Sequence, residues 1–193
     1  MSIMSEVTVK TRSVYHGRLL KVRVDTVKLP NGRMTTREIV EHPGAIAVIP
    51  LLENGKLLLV KQYRNAARRR LIEIPAGTLE VGEAPVRCAR RELIEETGYA
   101  ARRFTKLFSC YLAPGYSTEK IHFFLASRLV PTKAKQAEDE AIIVQAISLH
   151  EALKAIDQGK IQDAKTISAL YYLAMHEDKR RRASKSGQRQ SIE

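Results

Sequence analysis

The residues with the most chemistry in them lie in one stretch, 77–99 (GTLEVGEAPVRCARRELIEETGY). It holds five glutamates and three arginines, net −2, inside a 193-residue chain of net charge +12. The spacing predicts a helix over 84–97, on which Val86, Ala89 and Thr97 fall within about 40° of Leu93 and make a narrow apolar stripe. Glu92 and Glu96 then stand side by side on one flank, and Glu95 lies further round near Arg91, its i, i+4 partner. Adjacent carboxylates repel one another unless something cationic sits between them. A solvated acidic face tolerates that repulsion. In a chain so rich in cations, however, a concentrated anionic cluster with Glu83 upstream suits a hard, oxygen-preferring ion such as Mg²⁺ and a phosphate-bearing substrate. Gly77 and Gly98 bracket the segment as a loop and a C-cap glycine.

The elements that must position this cluster are legible from alternation and turn residues. Strands are predicted at 7–14, 20–29 and 35–41, with Pro30-Asn31-Gly32 turning the chain before the third. A dense apolar strand at 45–52 is followed by Glu53-Asn54-Gly55 and a strand at 56–63. Beyond the helix, strands are predicted at 104–111, 121–129 and 141–147, and helices at 149–156 and 161–176, broken near Gly159. Strands and helices that do not alternate one by one indicate an α+β or layered α/β/α domain. The organisation reads as a β-rich segment 1–43, a main domain 44–177 and a basic disordered tail 178–193 with six cations and two anions.

Composition excludes several classes. No apolar run approaches the roughly 20 residues needed to cross a bilayer, and no secretory signal opens the chain. Cys88 and Cys110 cannot build a disulfide framework, so a reducing, cytoplasmic setting is expected. The positive charge favours anionic partners without choosing between phosphorylated metabolites and nucleic acid. The five histidines show no ligand spacing, and Cys88 reads as a small buried hydrophobe.

Residues 77–99 resemble the Nudix box: glycine, five residues, Glu, seven residues, Arg-Glu, an apolar residue, any residue, Glu-Glu, any residue, glycine and a bulky apolar residue. Gly77, Glu83, Arg91, Glu92, Leu93, Glu95, Glu96, Gly98 and Tyr99 fill these places. Tyr99 departs from the usual aliphatic at a packing position. Chance coincidence of the fixed residues at a given position has a probability on the order of 10⁻⁸. The resemblance implies a Nudix α/β/α sandwich with a mixed sheet, and a hydrolase of nucleoside diphosphates linked to another moiety. It assigns Glu92 and Glu96 to Mg²⁺, with Mn²⁺ as a substitute, and leaves Glu95 to share metal or to organise the helix with Arg91.

EIPAG, residues 73–77, and Pro114, sixteen residues after Gly98, further resemble ADP-ribose pyrophosphatases. That implies AMP and ribose 5-phosphate as products and the Ala76 carbonyl as a metal ligand. The 1–43 segment would be a small antiparallel sheet domain through which two copies form a homodimer. Arg64 becomes a candidate contact to substrate phosphate or ribose, since guanidinium matches phosphate geometry. Glu73 either orients substrate or pairs with Arg64, and Arg68, Arg69 and Arg70 read as a solvated loop patch. The general base falls in QAEDEA, residues 136–141, with Glu138 first, Glu140 second and Asp139 also available. Glu119 is a possible ribose contact. The alternatives are a Nudix hydrolase for another nucleoside diphosphate sugar or a dinucleotide, and a non-catalytic nucleotide- or RNA-binding protein using the basic tail.

Overall fold

The structure is a computed structural model that describes residues 5–132 and 142–189, with side chains to 176. Its first unit is an antiparallel meander of β1 (Val7–His16), β2 (Lys21–Lys28) and β3 (Met34–Glu41), with β2 in the middle. The turn into β3 forms where Pro30-Asn31-Gly32 predicts it: Gly32 takes φ 83°, and its N–H donates to the Leu29 carbonyl at 2.9 Å. Within one chain β1 is exposed along its whole length.

Two further sheets make the centre. β4 (Ala45–Pro50) lies parallel to β9 (Lys120–Pro131) and antiparallel to β7 (Ala76–Thr78), while β8 (Tyr99–Tyr111) pairs on the far edge of β9. β5 (Leu57–Arg64) sits between β6 (Arg69–Glu73) and β10 (Ile143–Ile147), all antiparallel. β4 is buried at every position because helices cover both its faces. Alternation then splits its side chains. Ile46 and Val48 pack with Cys88, Ala89 and Leu93 of α1 (Pro85–Thr97), whereas Ala47 and Ile49 face Ala152 of α2 (Leu149–Asp157) and Leu170 of α3 (Ala164–Arg189). This is an α/β/α arrangement around a mixed sheet, with the antiparallel meander attached. Among the described residues no helix is long and apolar enough to cross a membrane.

α1 starts with Pro85 at its first turn and ends at Gly98, which takes φ 73° and donates to the Ile94 carbonyl at 2.8 Å. Its buried stripe differs from the angular expectation: Val86 is left out, and Cys88 and Glu96 join Ala89, Leu93 and Thr97. Val86 is 38% exposed and Cys88 fully buried. Helical side chains tilt toward the N-terminus, so a first-turn residue overhangs its own helix and finds less to pack against.

The strands β6 and β7 are absent from the sequence reading. Arg69 and Arg70, expected in a loop, form the start of β6 opposite Arg64 and Tyr63, after a 3₁₀ turn at Asn65–Ala67 and a left-handed Arg68 at φ 51°. An arginine run has no strand signature of its own; its pairing comes from β5. β8 starts at Tyr99 rather than 104, and α3 at Ala164 rather than 161. Asp163 sets that second boundary, since its carboxylate accepts from the Thr166 N–H at 2.9 Å. α3 also continues to Arg189, so the segment from 178 is helical to that point rather than irregular. Lys, Arg and Ala are strong helix formers, and the helix persists into them.

Candidate active site

Arg91 is the hub of the glutamate cluster. Its Nε and one terminal nitrogen donate to both oxygens of Glu83, at 3.2 and 3.0 Å. Its other terminal nitrogen reaches Glu92 at 2.5 Å and Glu95 at 3.2 Å. One guanidinium thus spaces three carboxylates that would otherwise repel, using the planar fork that lysine lacks. The hydrogen bond from Arg91 is the main cause holding the Glu83 carboxyl down at about 2. Glu92 moves the other way: burial pushes its carboxyl up, against the attraction of Arg91. Burial likewise pushes the Cys88 thiol up to about 12, an inert, packed sulfur beside the Thr78 carbonyl.

β7 lies flat against these carboxylates because residue 77 has no side chain. A Cβ there would stand 1.9 Å from Glu92 Cδ and 2.0 Å from its Oε1. Glu92 therefore occupies the space a larger residue would fill. Glu96, 7% exposed, is held from the same strand, its Oε2 accepting from the Ala76 N–H at 3.2 Å. Gly77, Glu92 and Glu96 are thus adjusted to one another.

Opposite them, Arg64 and Glu73 form a two-pronged pair at 2.9 and 2.8 Å between neighbouring strands. Glu73 is 1% exposed and also accepts from Lys165 at the start of α3. Burial alone would raise its carboxyl, but Arg64 and Lys165 outweigh it and hold it below the usual range. The adjoining Ile74 N–H donates to Thr166 Oγ1 at 2.9 Å, so residues 73 and 74 are both held to α3. Of the two readings open for Glu73, the pairing with Arg64 is present.

A cleft of about 290 Å³ joins the two groups, lined by Gln62, Arg64, Ala76, Gly77, Thr78, Glu92, Glu95, Glu96 and Ile142. Its charged lining is all carboxylate on one wall and guanidinium on the other. The donors available to a metal are oxygens only, which suits a hard divalent cation. Among the described residues no three of His, Cys, Asp and Glu gather closely enough to hold a metal unaided.

The structure brings together Arg64, Ala76, Glu92, Glu95 and Glu96 in this cleft, with Arg91 and Glu73 directly behind them. Pro114 and Glu119 stand on the β8–β9 connection, outside the cleft lining, where that loop is tied to β3 through Val40 N–H to the Tyr116 carbonyl at 2.7 Å. Glu138, Asp139 and Glu140 lie outside the described residues. The sequence reading missed Gln62, Lys165 and Thr166. Gln62 alone carried a signal, a polar residue on the inward alternation of β5.

A profile described as NUDIX domain matches residues 41–170, and one described as nucleoside diphosphate sugar hydrolase N-terminal domain matches 6–40. The chain is 42% identical over 179 residues to an ADP-ribose pyrophosphatase of Bacillus subtilis (strain 168), covering 92% of this chain and 97% of the relative. It is also 42% identical over 179 residues to a methanol dehydrogenase activator of Bacillus methanolicus, covering 91% and 96%. A crystal structure of an ADP compounds hydrolase shares the fold, with a TM-score of 0.83 at 22% identity, over 93% of this chain and 98% of that one.

Proposed function

Because this chain belongs to the Nudix hydrolase family, we propose that it hydrolyses the pyrophosphate bond of ADP-ribose to AMP and ribose 5-phosphate, using Mg²⁺ or, as a substitute, Mn²⁺. Membership makes the chain a pyrophosphohydrolase of nucleoside diphosphate sugars. ADP-ribose is the favoured member of that class, on the relative of that activity that matches nearly the full length. The observation that carries the reading is the glycine-made cradle: Glu92 reaches the cleft wall through the space at Gly77, beside a nearly buried Glu96 and facing Arg64.

Glu92, Glu96 and the Ala76 carbonyl would hold the cation, with Glu95 close enough to share it or to stay with Arg91. When bound, such an ion neutralises diphosphate oxygens and makes an attacking water more acidic. Arg64, held in place by Glu73 through Nε and one terminal nitrogen, lends a guanidinium N–H to a phosphate. Arg91 keeps the carboxylates in array without entering the reaction. Glu138, or failing it Glu140, takes the proton from the attacking water, and Glu119, on the same loop as Pro114 beyond the cleft lining, contacts the terminal ribose of a substrate that extends out of the cleft. A homodimer through the β1–β3 sheet is supported by β1, whose Val7, Val9, Val14 and Tyr15 are all more than half exposed in the single chain. The free cysteines suit a cytoplasmic setting.

The test is to incubate the protein with ADP-ribose, other nucleoside diphosphate sugars and dinucleotides plus Mg²⁺ in ¹⁸O water, identifying products by mass. Preferential formation of AMP and ribose 5-phosphate supports the reading. Preference for another sugar nucleotide or a dinucleotide replaces the substrate, and no hydrolysis of any compound overturns the function.

A further inference from the structure

β5 sends two side chains into the cleft from alternate positions, Arg64 and, one step deeper, Gln62. Gln62 is 5% exposed, and its Nε2 has no hydrogen-bond partner among the described residues. That is anomalous in its surroundings. The nearby buried polar groups are matched: Glu73 by Arg64 and Lys165, Glu96 by the Ala76 N–H, Thr166 by the Ile74 N–H. A primary amide carries two N–H donors, and burying them without acceptors is costly unless something else supplies the acceptors. Among the described residues, only Asp25 Oδ1, in the β1–β3 sheet, shares this condition.

We infer that Gln62 is a substrate-binding residue whose amide N–H is reserved for a non-bridging phosphate oxygen of the ligand in the cleft. This rests on the reading that the cleft receives a diphosphate. The ligand class follows from the donor: a diphosphate is built almost wholly of acceptors, and Arg64 on the same strand face offers a second donor beside it. Rotation about the last amide torsion, which is broad, turns the N–H toward the cleft without moving the strand. A neutral donor also suits the place better than a cation. A lysine here would be drawn onto Glu92 or Glu96, whereas an amide leaves those carboxylates available.

Inorganic pyrophosphate with Mg²⁺ is the probe, titrated calorimetrically into the wild-type protein and into Gln62→Met and Gln62→Leu. Both variants remove the donor and keep an apolar side chain of similar size. Pyrophosphate is expected to bind at least about tenfold more weakly, as for a lost hydrogen bond to a charged group. The unfolding midpoint should stay or rise, because an unsatisfied buried donor has gone. The same variants should raise KM for ADP-ribose more than they lower kcat. Unchanged pyrophosphate affinity, or a falling midpoint with unchanged affinity, overturns the inference and leaves Gln62 a packing residue. A wild-type protein that does not bind pyrophosphate overturns it too. One that binds pyrophosphate weakly only in the variants, yet leaves ADP-ribose intact, refutes the functional reading instead.

Discussion

Replacing Gly77 with alanine adds one methyl group and should remove most of the activity while the fold survives. The new Cβ would lie 1.9, 2.0 and 2.4 Å from Glu92 Cδ, Oε1 and Cγ. Carbon contacts settle near 3.5 Å, so the carboxylate must retreat by about 1.6 Å. The three nearest atoms all belong to the flexible Glu92 side chain, so Glu92 moves and the strand stays. The retreat strains a rotamer and breaks the 2.5 Å bond from Arg91; together these cost about 2–4 kcal/mol. A displacement of an ångström at reacting groups can lower turnover about 10²-fold, and that is the expected loss in kcat/KM. The assay is a double-mutant cycle with Glu92→Ala, read by urea unfolding, together with kinetics of the single variant. In the Glu92→Ala background those three atoms are gone, so Gly77→Ala should cost almost nothing, a coupling of about 2–4 kcal/mol. Gly115→Ala, where an added Cβ meets open space, serves as the neutral control. Equal destabilisation in both backgrounds, or wild-type activity in Gly77→Ala, would falsify the cradle.

Three further outcomes follow from the surrounding network. Glu73→Gln should destabilise by about 1–3 kcal/mol near neutrality, since Arg64 and Lys165 lose a charged partner while Lys165 keeps Asp163, and should raise KM. Because the Glu73 carboxyl is held below its usual value, its contribution is complete above an ordinary carboxyl pKa of about 4.3 and disappears as pH falls through the depressed one. The stability gap between wild type and variant, measured by chemical unfolding across pH, should therefore close on the acid side; a gap that widens there contradicts the pairing. Thr166→Val keeps shape but leaves the Ile74 N–H without an acceptor, costing about 1–3 kcal/mol and faster hydrogen exchange at that amide. Glu138→Gln should lower kcat about 10²–10⁴-fold with little change in KM, whereas a pure KM effect moves the base to Glu140.

What could be read from the sequence was what the chain encodes locally. The Glu92, Glu95, Glu96 and Arg91 relations are consequences of helical spacing, and the Gly98 cap and the Gly32 turn depend on conformations that single residues favour. The central position of β4 was legible as an unbroken apolar run. The missing parts depend on partners distant in the chain. β6 is a strand because β5 lies beside it, and Lys165 reaches Glu73 across 92 residues, a relation no periodicity contains. Gln62 shows only its polar place on the inward alternation of β5, and Thr166 looks like an ordinary polar residue, until burial shows what each lacks or satisfies. In sequence Gly77 looks like a loop glycine; its actual requirement is the close approach of Glu92.

The central claim is that the carboxylates of α1 make this cleft a pyrophosphohydrolase. Glu96→Gln tests it most directly, because it changes one oxygen to an amide at a nearly buried residue that still can accept from the Ala76 N–H. With ADP-ribose and Mg²⁺, the rate of AMP release should fall at least about 10³-fold, several kcal/mol of transition-state stabilisation, while the unfolding midpoint changes little. Release of AMP at the wild-type rate by that variant would contradict the account.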